Sequence, residues 1–320
     1  MASLLINEEI IGRFIQLLNN KHLAHAYLLV GVPGVGKLET AQALAKSVNC
    51  EKNSPSFKEG CETCPSCLKI NSGNHPDVQI VQCEYGETIK IEDIRRVITQ
   101  LQLRSFEARR KVVIIRNIEN LTLEAGNALL KTLEEPTKDS LLLLTSASPE
   151  KILDTVKSRC HRIYFPGAPQ ERVVSLLLNE YHIEESEGRI LSFFAQGSFG
   201  KAEALNKAKF FQKKNEAIDA FLFSVNTESY IGKILAEKSK TKEALDVLLS
   251  WFRDVVLLKK GMEEKRLVNR DRLKDLLRIQ DKYSLDDLNG IIGQIIYSMQ
   301  LLSDNLNVKI ALNLLKEKIR

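Results

Sequence analysis

Long apolar stretches are missing from this sequence. No run of about 18 consecutive apolar residues occurs, so no segment reads as a membrane-spanning helix. A basic stretch ahead of the first apolar residues is missing too. The N-terminus, MASLLINEEIIGRFIQLL, therefore predicts an amphipathic helix rather than a secretory signal. Both absences lead us to expect a cytoplasmic protein with reduced cysteines and no disulfides. Internal repeats and low-complexity segments are also lacking, which argues against a solenoid. Charge of one sign does not dominate: 46 Lys and Arg stand against 41 Asp and Glu, a net charge of +5. That mild excess permits contact with nucleic acid without demanding it.

What is present is ample apolar material, 44% of 320 residues. Two or three domains are expected at roughly 100–200 residues each. Residues 1–165 alternate strand-like and helix-like segments. The runs at 26–30 (AYLLV), 112–115 (VVII), 141–144 (LLLL) and 162–165 read as strands. Helical spacing follows Gly36 and recurs at 123–135, where Pro136 ends it. Ser148-Pro149-Glu150 carries the signals of another helix start. Such alternation predicts a parallel sheet with helices on both faces. Pro166-Gly167-Ala168-Pro169 reads as a linker. Beyond it everything reads as helix: a small domain to about residue 208, around the glycines at 197–200, then long helices such as 244–260 and 288–302.

Gly31-Val-Pro-Gly34-Val-Gly36-Lys37-Leu38 fits the phosphate-binding pattern G-x-x-x-x-G-K-[ST] at all positions but the last. Glycines let backbone amides converge on phosphates, and the following helix adds partial positive charge. Lys37 would reach the outer phosphates. The last position normally offers a hydroxyl to Mg²⁺, and Leu38 has no ligand atom. The acids that should end a buried strand are missing as well. VVII is followed by Arg116 and Asn117, and Glu119 lies off the strand end. Both losses predict no Mg²⁺ site and no useful hydrolysis by this chain alone. Two readings of the loop stay open: a turn that packs a helix on the sheet, and residual binding of ATP or ADP.

Four of the six cysteines cluster as Cys50-x₁₀-Cys61-x₂-Cys64-x₂-Cys67. Four thiolates suit a closed, structural zinc site. Iron–sulfur proteins share C-x₂-C-x₂-C but continue with x₃-C-P, and position 71 here is Asn71. Zinc is the expectation, with an iron–sulfur cluster and a metal-free loop as alternatives. Pro55, Gly60 and Pro65 would supply the turns. Cys83 and Cys160 read as ordinary small residues.

His25-Ala-Tyr27, the four-cysteine insert, His75-Pro-Asp77, Asn127-Ala-Leu-Leu-Lys-Thr-Leu-Glu-Glu-Pro136 and Ser158-Arg159-Cys160 together resemble one family. It is the clamp-loader subunits of bacterial DNA polymerase III, which are AAA+ proteins. The likeness is strong over residues 1 to about 205 and architectural beyond. It implies an AAA+ P-loop domain at 1–165 with a zinc insert at 50–67. A helical lid at 166–208 and a helical collar at 209–320 would follow. Gamma/tau, the motor members, keep the hydroxyl and the two acids. Departure at Leu38, Arg116 and Asn117 places the likeness with the non-motor delta-prime branch. The resemblance then implies that Arg159 is offered in trans to a neighbour's nucleotide, as arginine fingers are. A solvated helix-end arginine is the plainer reading. Thr145 and Ser146 correspond to one sensor position and Lys201 to another, both vestigial without a working site. Implied partners are gamma/tau, delta, the sliding clamp and primer–template DNA. An active AAA+ motor, or an AAA+ assembly protein outside replication, are the alternatives. Arg95, Arg96, Arg104, Arg109, Arg110 and Lys111 could meet DNA phosphates. They could equally form a solvated surface paired to Glu92, Asp93 and Glu107.

Overall fold

Short apolar runs closed by glycine or polar residues become the strands of one sheet. A computed structural model of the chain describes residues 7–52, 60–84, 87–223 and 226–319. The first elements are α1 (Glu8–Asn19), β1 (Ala26–Val30), α2 (Lys37–Asn49), α3 (Pro65–Asn71) and β2 (Val78–Val81). Then come α4 (Ile91–Gln102), β3 (Lys111–Ile115), α5 (Leu123–Glu134), β4 (Ser140–Ser146), α6 (Asp154–Lys157) and β5 (His161–Tyr164). The strand order is β2-β3-β4-β1-β5, parallel throughout. Parallel neighbours need crossover segments, which is why strand and helix alternate.

Strand period two sorts the side chains. Leu28, Val30, Ile115 and Leu144 face one apolar cluster, shared with Ile94 and Val97 of α4 and Leu129 and Leu133 of α5. Tyr27, Leu29, Ile114 and Leu143 face a second cluster with Phe14 of α1 and Leu44 and Val48 of α2. The expected strands at 26–30, 112–115, 141–144 and 162–165 are all present, shifted by at most a few residues. β5 lies at the sheet edge and carries exposed His161, Arg162 and Tyr164, as edges tolerate polar residues.

Three elements of this part of the chain escaped the sequence reading: α3 inside the cysteine insert, β2 and α4. β2 (VQIV) is only four residues long, with a polar centre. α4 displays helical spacing at Ile94, Val97 and Leu101, a signal that was there to be used. The helix expected at Ser148 is not continuous. A 3₁₀ turn, Pro149–Lys151, precedes α6, and the Ser148 side chain caps nothing. The reason is packing: Ile152 adopts extended backbone, and the side chains of Ile152 and Leu153 pack in the first cluster.

The remaining helices are α7 (Gln170–Tyr181), α8 (Glu185–Ala195), α9 (Phe199–Lys207), α10 (Phe210–Ile218), α11 (Thr227–Leu235), α12 (Lys238–Lys259), α13 (Leu273–Gln280), α14 (Leu285–Ser303) and α15 (Lys309–Ile319). The chain forms two compact units: Met1–Leu176 with Gln196–Lys201, and Leu177–Ala195 with Ala202–Arg320. In the second unit, Leu245, Leu248, Trp251 and Phe252 of α12 are fully buried, with Leu288 and Ile295 of α14. These α12 side chains are core rather than surface. No helix among the described residues is long and apolar enough to cross a membrane.

Candidate functional site

The glycine loop joins β1 to α2. Gly31 donates its N–H to the Ser146 carbonyl at 3.1 Å, tying the loop to the end of β4. A Cβ on Gly31 would lie 2.7 Å from the Phe165 carbonyl oxygen, so only glycine fits against the segment after β5. Gly34 has φ +77°, and a Cβ there would meet Ser198 Oγ at 2.6 Å. The segment Gln196–Lys201 packs directly on this turn. Ser198 Oγ donates to the Pro33 carbonyl at 2.7 Å, and the Gly200 N–H donates to the Gly34 carbonyl at 2.9 Å. Asn7 grips the loop from another side, donating Nδ2 to the Val35 carbonyl at 2.7 Å. Gly36, with φ +90°, immediately precedes α2.

Lys37 is buried and turns back on its own loop. Its Nζ donates to the carbonyls of Gly31 and Val32, the latter at 2.9 Å. Burial pulls its pKa down to about 8; the carboxylates of Glu119 and Glu39 oppose that, and Arg116 reinforces it. Leu38 packs against the second apolar cluster. Arg116, following β3, donates Nη1 to Gln82 Oε1 at 2.6 Å. Asn117 takes a left-handed backbone, and its N–H donates to Thr145 Oγ1 at 3.2 Å. Ser146 Oγ accepts from the Ser148 N–H at 3.0 Å. The Thr145 and Ser146 hydroxyls therefore both hold local backbone. Glu119 Oε1 accepts from the Ala147 N–H at 3.0 Å, while Oε2 is buried without a hydrogen-bond partner. Lys201 is exposed, and its backbone N–H donates to Ser198 Oγ at 3.1 Å.

The four clustered cysteines converge. Their sulfurs all lie within 4.8 Å of one another. Cys50 follows the last turn of α2, and Cys64 caps α3, with Pro65 at its first position. The Cys64 N–H donates to Cys61 Sγ at 3.2 Å, the Cys67 N–H to Cys64 Sγ at 3.5 Å and Thr63 Oγ1 to Cys61 Sγ at 3.4 Å. The Thr63 hydroxyl, with the backbone amides of Thr63 and Cys64, draws the Cys61 thiol down to about 6 against burial. Burial pushes Cys67 up to about 12. These donors suit one metal ion and leave no coordination position open. Pro55 lies outside the described residues. Cys83 and Cys160 belong to the first apolar cluster.

Arg159 sits just past α6. Its Nη2 meets Glu134 Oε1 at 2.6 Å, and Nη1 donates to the Thr155 carbonyl at 2.9 Å. The basic loop at 103–110 is only partly neutralised. Arg96 pairs with Asp93, but Glu107 pairs with Lys69 at 2.6 Å instead of an arginine. Arg104 and Arg110 have no carboxylate partner among the described residues. The loop is pinned from the start of β2. The Asp77 carboxylate accepts from the N–H groups of Phe106, Glu107 and Ala108 at 2.8–3.0 Å. Those three amides, with Lys111, outweigh burial and hold its pKa below the usual carboxylate value. Phe106 projects from this anchored loop, 84% exposed.

Comparison with known proteins gives this geometry its family. The family described as "DNA polymerase III, delta subunit" matches residues 6–169, and "DNA polymerase III, delta subunit, C terminal" matches residues 194–316. DNA polymerase III subunit delta' of Bacillus subtilis is 30% identical over 94% of this chain and 93% of its own length. The delta' subunit of Escherichia coli K12 is 27% identical over 85% of this chain and 80% of its own. The tau subunit of E. coli K12 is 30% identical over 71% of this chain but only 36% of its own length. With one family covering residues 6–169 and a delta' relative aligned nearly end to end, this chain belongs to the DNA polymerase III delta-prime subunit family.

Proposed function

We propose that the chain is a non-motor subunit of a replicative DNA polymerase III clamp loader. In this reading it works in the cytoplasm beside gamma/tau-type motors and a delta subunit. It helps place a sliding clamp on primer–template DNA and offers Arg159 to the nucleotide of a neighbouring motor. Its own nucleotide site is degenerate. One observation carries the last point: both metal-holding positions hold groups that bind no cation. Leu38 packs against an apolar cluster, and Arg116 puts positive charge after β3. Lys37, engaged with the carbonyls of its own loop, supports weak nucleotide binding or none.

The cysteine site, in the same reading, holds zinc. Sulfurs at ~2.3 Å from a tetrahedral zinc stand about 3.8 Å apart, inside the observed spacing. Zinc there would tie the end of α2 to α3; it would do no chemistry. The division at 165 and 208 into an AAA+ domain, a lid and a collar belongs to the same proposal. So does contact with DNA or clamp through the anchored loop at 103–110, whose unpaired arginines suit phosphates.

In the trans step, the Arg159 guanidinium would face charge developing on the neighbour's terminal phosphate. Arginines supplied this way are worth roughly 10³–10⁵ in rate in GTPases. The test has two arms. Purified alone, the chain should show no Mg²⁺-dependent ATPase activity above background. In a loader reconstituted with motor subunits, Arg159→Ala should collapse DNA-stimulated hydrolysis. Turnover by the isolated chain would instead make it a motor.

A further inference from the structure

The groups around Arg159 suggest how its guanidinium is held. An arginine carries five N–H donors on a long, flexible stem. Here two of its nitrogens are engaged by the chain itself. Nη2 meets Glu134 Oε1 at 2.6 Å; Nη1 donates to the Thr155 carbonyl at 2.9 Å and reaches Ser158 Oγ at 3.4 Å. Glu134 closes α5, and the helix stops there because Pro136 cannot continue it. Thr155 lies in α6. The guanidinium therefore bridges the C-terminal end of α5 and the single turn of α6.

We infer that Glu134 is a positioning residue for Arg159: it holds the guanidinium in the orientation presented to the neighbour's nucleotide. The inference rests on the trans role proposed above. Both side chains of the pair are partly exposed, at 35% and 49%, so the ion pair adds little to folding. Its effect is on order. A guanidinium already fixed by Glu134 and Thr155 loses less freedom when phosphate arrives, and N–H donors remain for phosphate oxygens. Misplacing a reacting group by about 1 Å can cost 10²-fold in rate, so loss of the carboxylate should be visible in turnover.

The experiment uses a loader reconstituted from this chain, motor subunits, clamp and primed DNA. Steady-state ATP hydrolysis is followed for Glu134→Gln, Glu134→Asp, Arg159→Ala and the double variant Arg159→Ala/Glu134→Gln. Glu134→Gln should lower kcat roughly 10- to 100-fold with KM for ATP and assembly unchanged. Glu134→Asp keeps the charge and should recover part of the rate. In the Arg159→Ala background, Glu134→Gln should have no further effect, since the pair is already broken. Full activity of Glu134→Gln beside a collapsed Arg159→Ala overturns the inference. So does an equal loss in both backgrounds, which would mark a general structural role. Full activity of Arg159→Ala sinks the trans-arginine reading itself.

Discussion

Lys37 and Leu38 are neighbours in the glycine loop with different surroundings. Leu38 keeps an apolar side chain where a metal-binding hydroxyl is wanted, and it packs against carbon. Lys37 keeps its amine but has it buried on two backbone carbonyls. An amine so placed should titrate near 8, against an ordinary value of 10.5. The sign follows from proton counting. Between those two values the unfolded chain binds the extra proton, so this group makes the fold gain stability as pH rises. Side-chain NMR titration of Lys37 checks the midpoint, and a value above 10 would mean that the amine is in water. The loss at Leu38 could be read from the sequence, because one residue type lacks the atom. The retreat of Lys37 could not, because it depends on how the loop closes under Ser198 and Asn7.

At the scale of an element, the cysteine knuckle shows how local sequence builds a site. Cys64 and Pro65 start α3, and the resulting turn aims backbone amides at sulfur. Gly60 enters this knuckle with φ +79°, and a Cβ there would sit 2.8 Å from Cys67 Sγ and 2.9 Å from Lys46 Cβ. Gly60→Ala should therefore weaken metal binding by about 10- to 100-fold, the range seen when the surroundings of metal ligands are disturbed. Competition against a chromogenic chelator measures it. Purified protein should carry one zinc per chain; a near-zero content would defeat the zinc assignment. Because the ligands must be thiolates, affinity should fall as pH is lowered. Spacing alone named these four residues. The demand for glycine at position 60 came from the approach of Lys46 and Cys67.

At the scale of the whole molecule, the second unit depends on a buried polar network that the sequence did not announce. The Lys214 ammonium, fully buried in α10, meets Asp271 Oδ2 at 2.7 Å. Asp254, also fully buried, accepts from the N–H groups of Val268 and Asn269 and from Asn269 Nδ2 at 2.8–2.9 Å. Together they fix the connection between α12 and α13 to the helical core. Asp271→Ala would leave a buried charge without its partner, at a cost of about 3–5 kcal/mol. Lys214→Met/Asp271→Leu should be far closer to neutral, because replacing both partners removes the uncompensated charge. Urea unfolding of the two variants distinguishes them. Equal destabilisation would show that the pair acts only as packing.

The sequence by itself determined the parallel sheet, four of its five strands, the four cysteines of the candidate metal site and the missing hydroxyl at Leu38. Each is a matter of residue type at a fixed spacing along the chain, where local sterics and apolar periodicity act. Only the tertiary structure decided what faces what. It packed Gly34 against Ser198, buried the Lys37 amine and set Glu134 beside Arg159. It also linked Lys214 to Asp271 across the second unit. Those pairs are 164, 25 and 57 residues apart for Gly34–Ser198, Glu134–Arg159 and Lys214–Asp271, counted from the numbering. No local pattern encodes such contacts, because they form only once separate elements have packed and brought their side chains within hydrogen-bond reach.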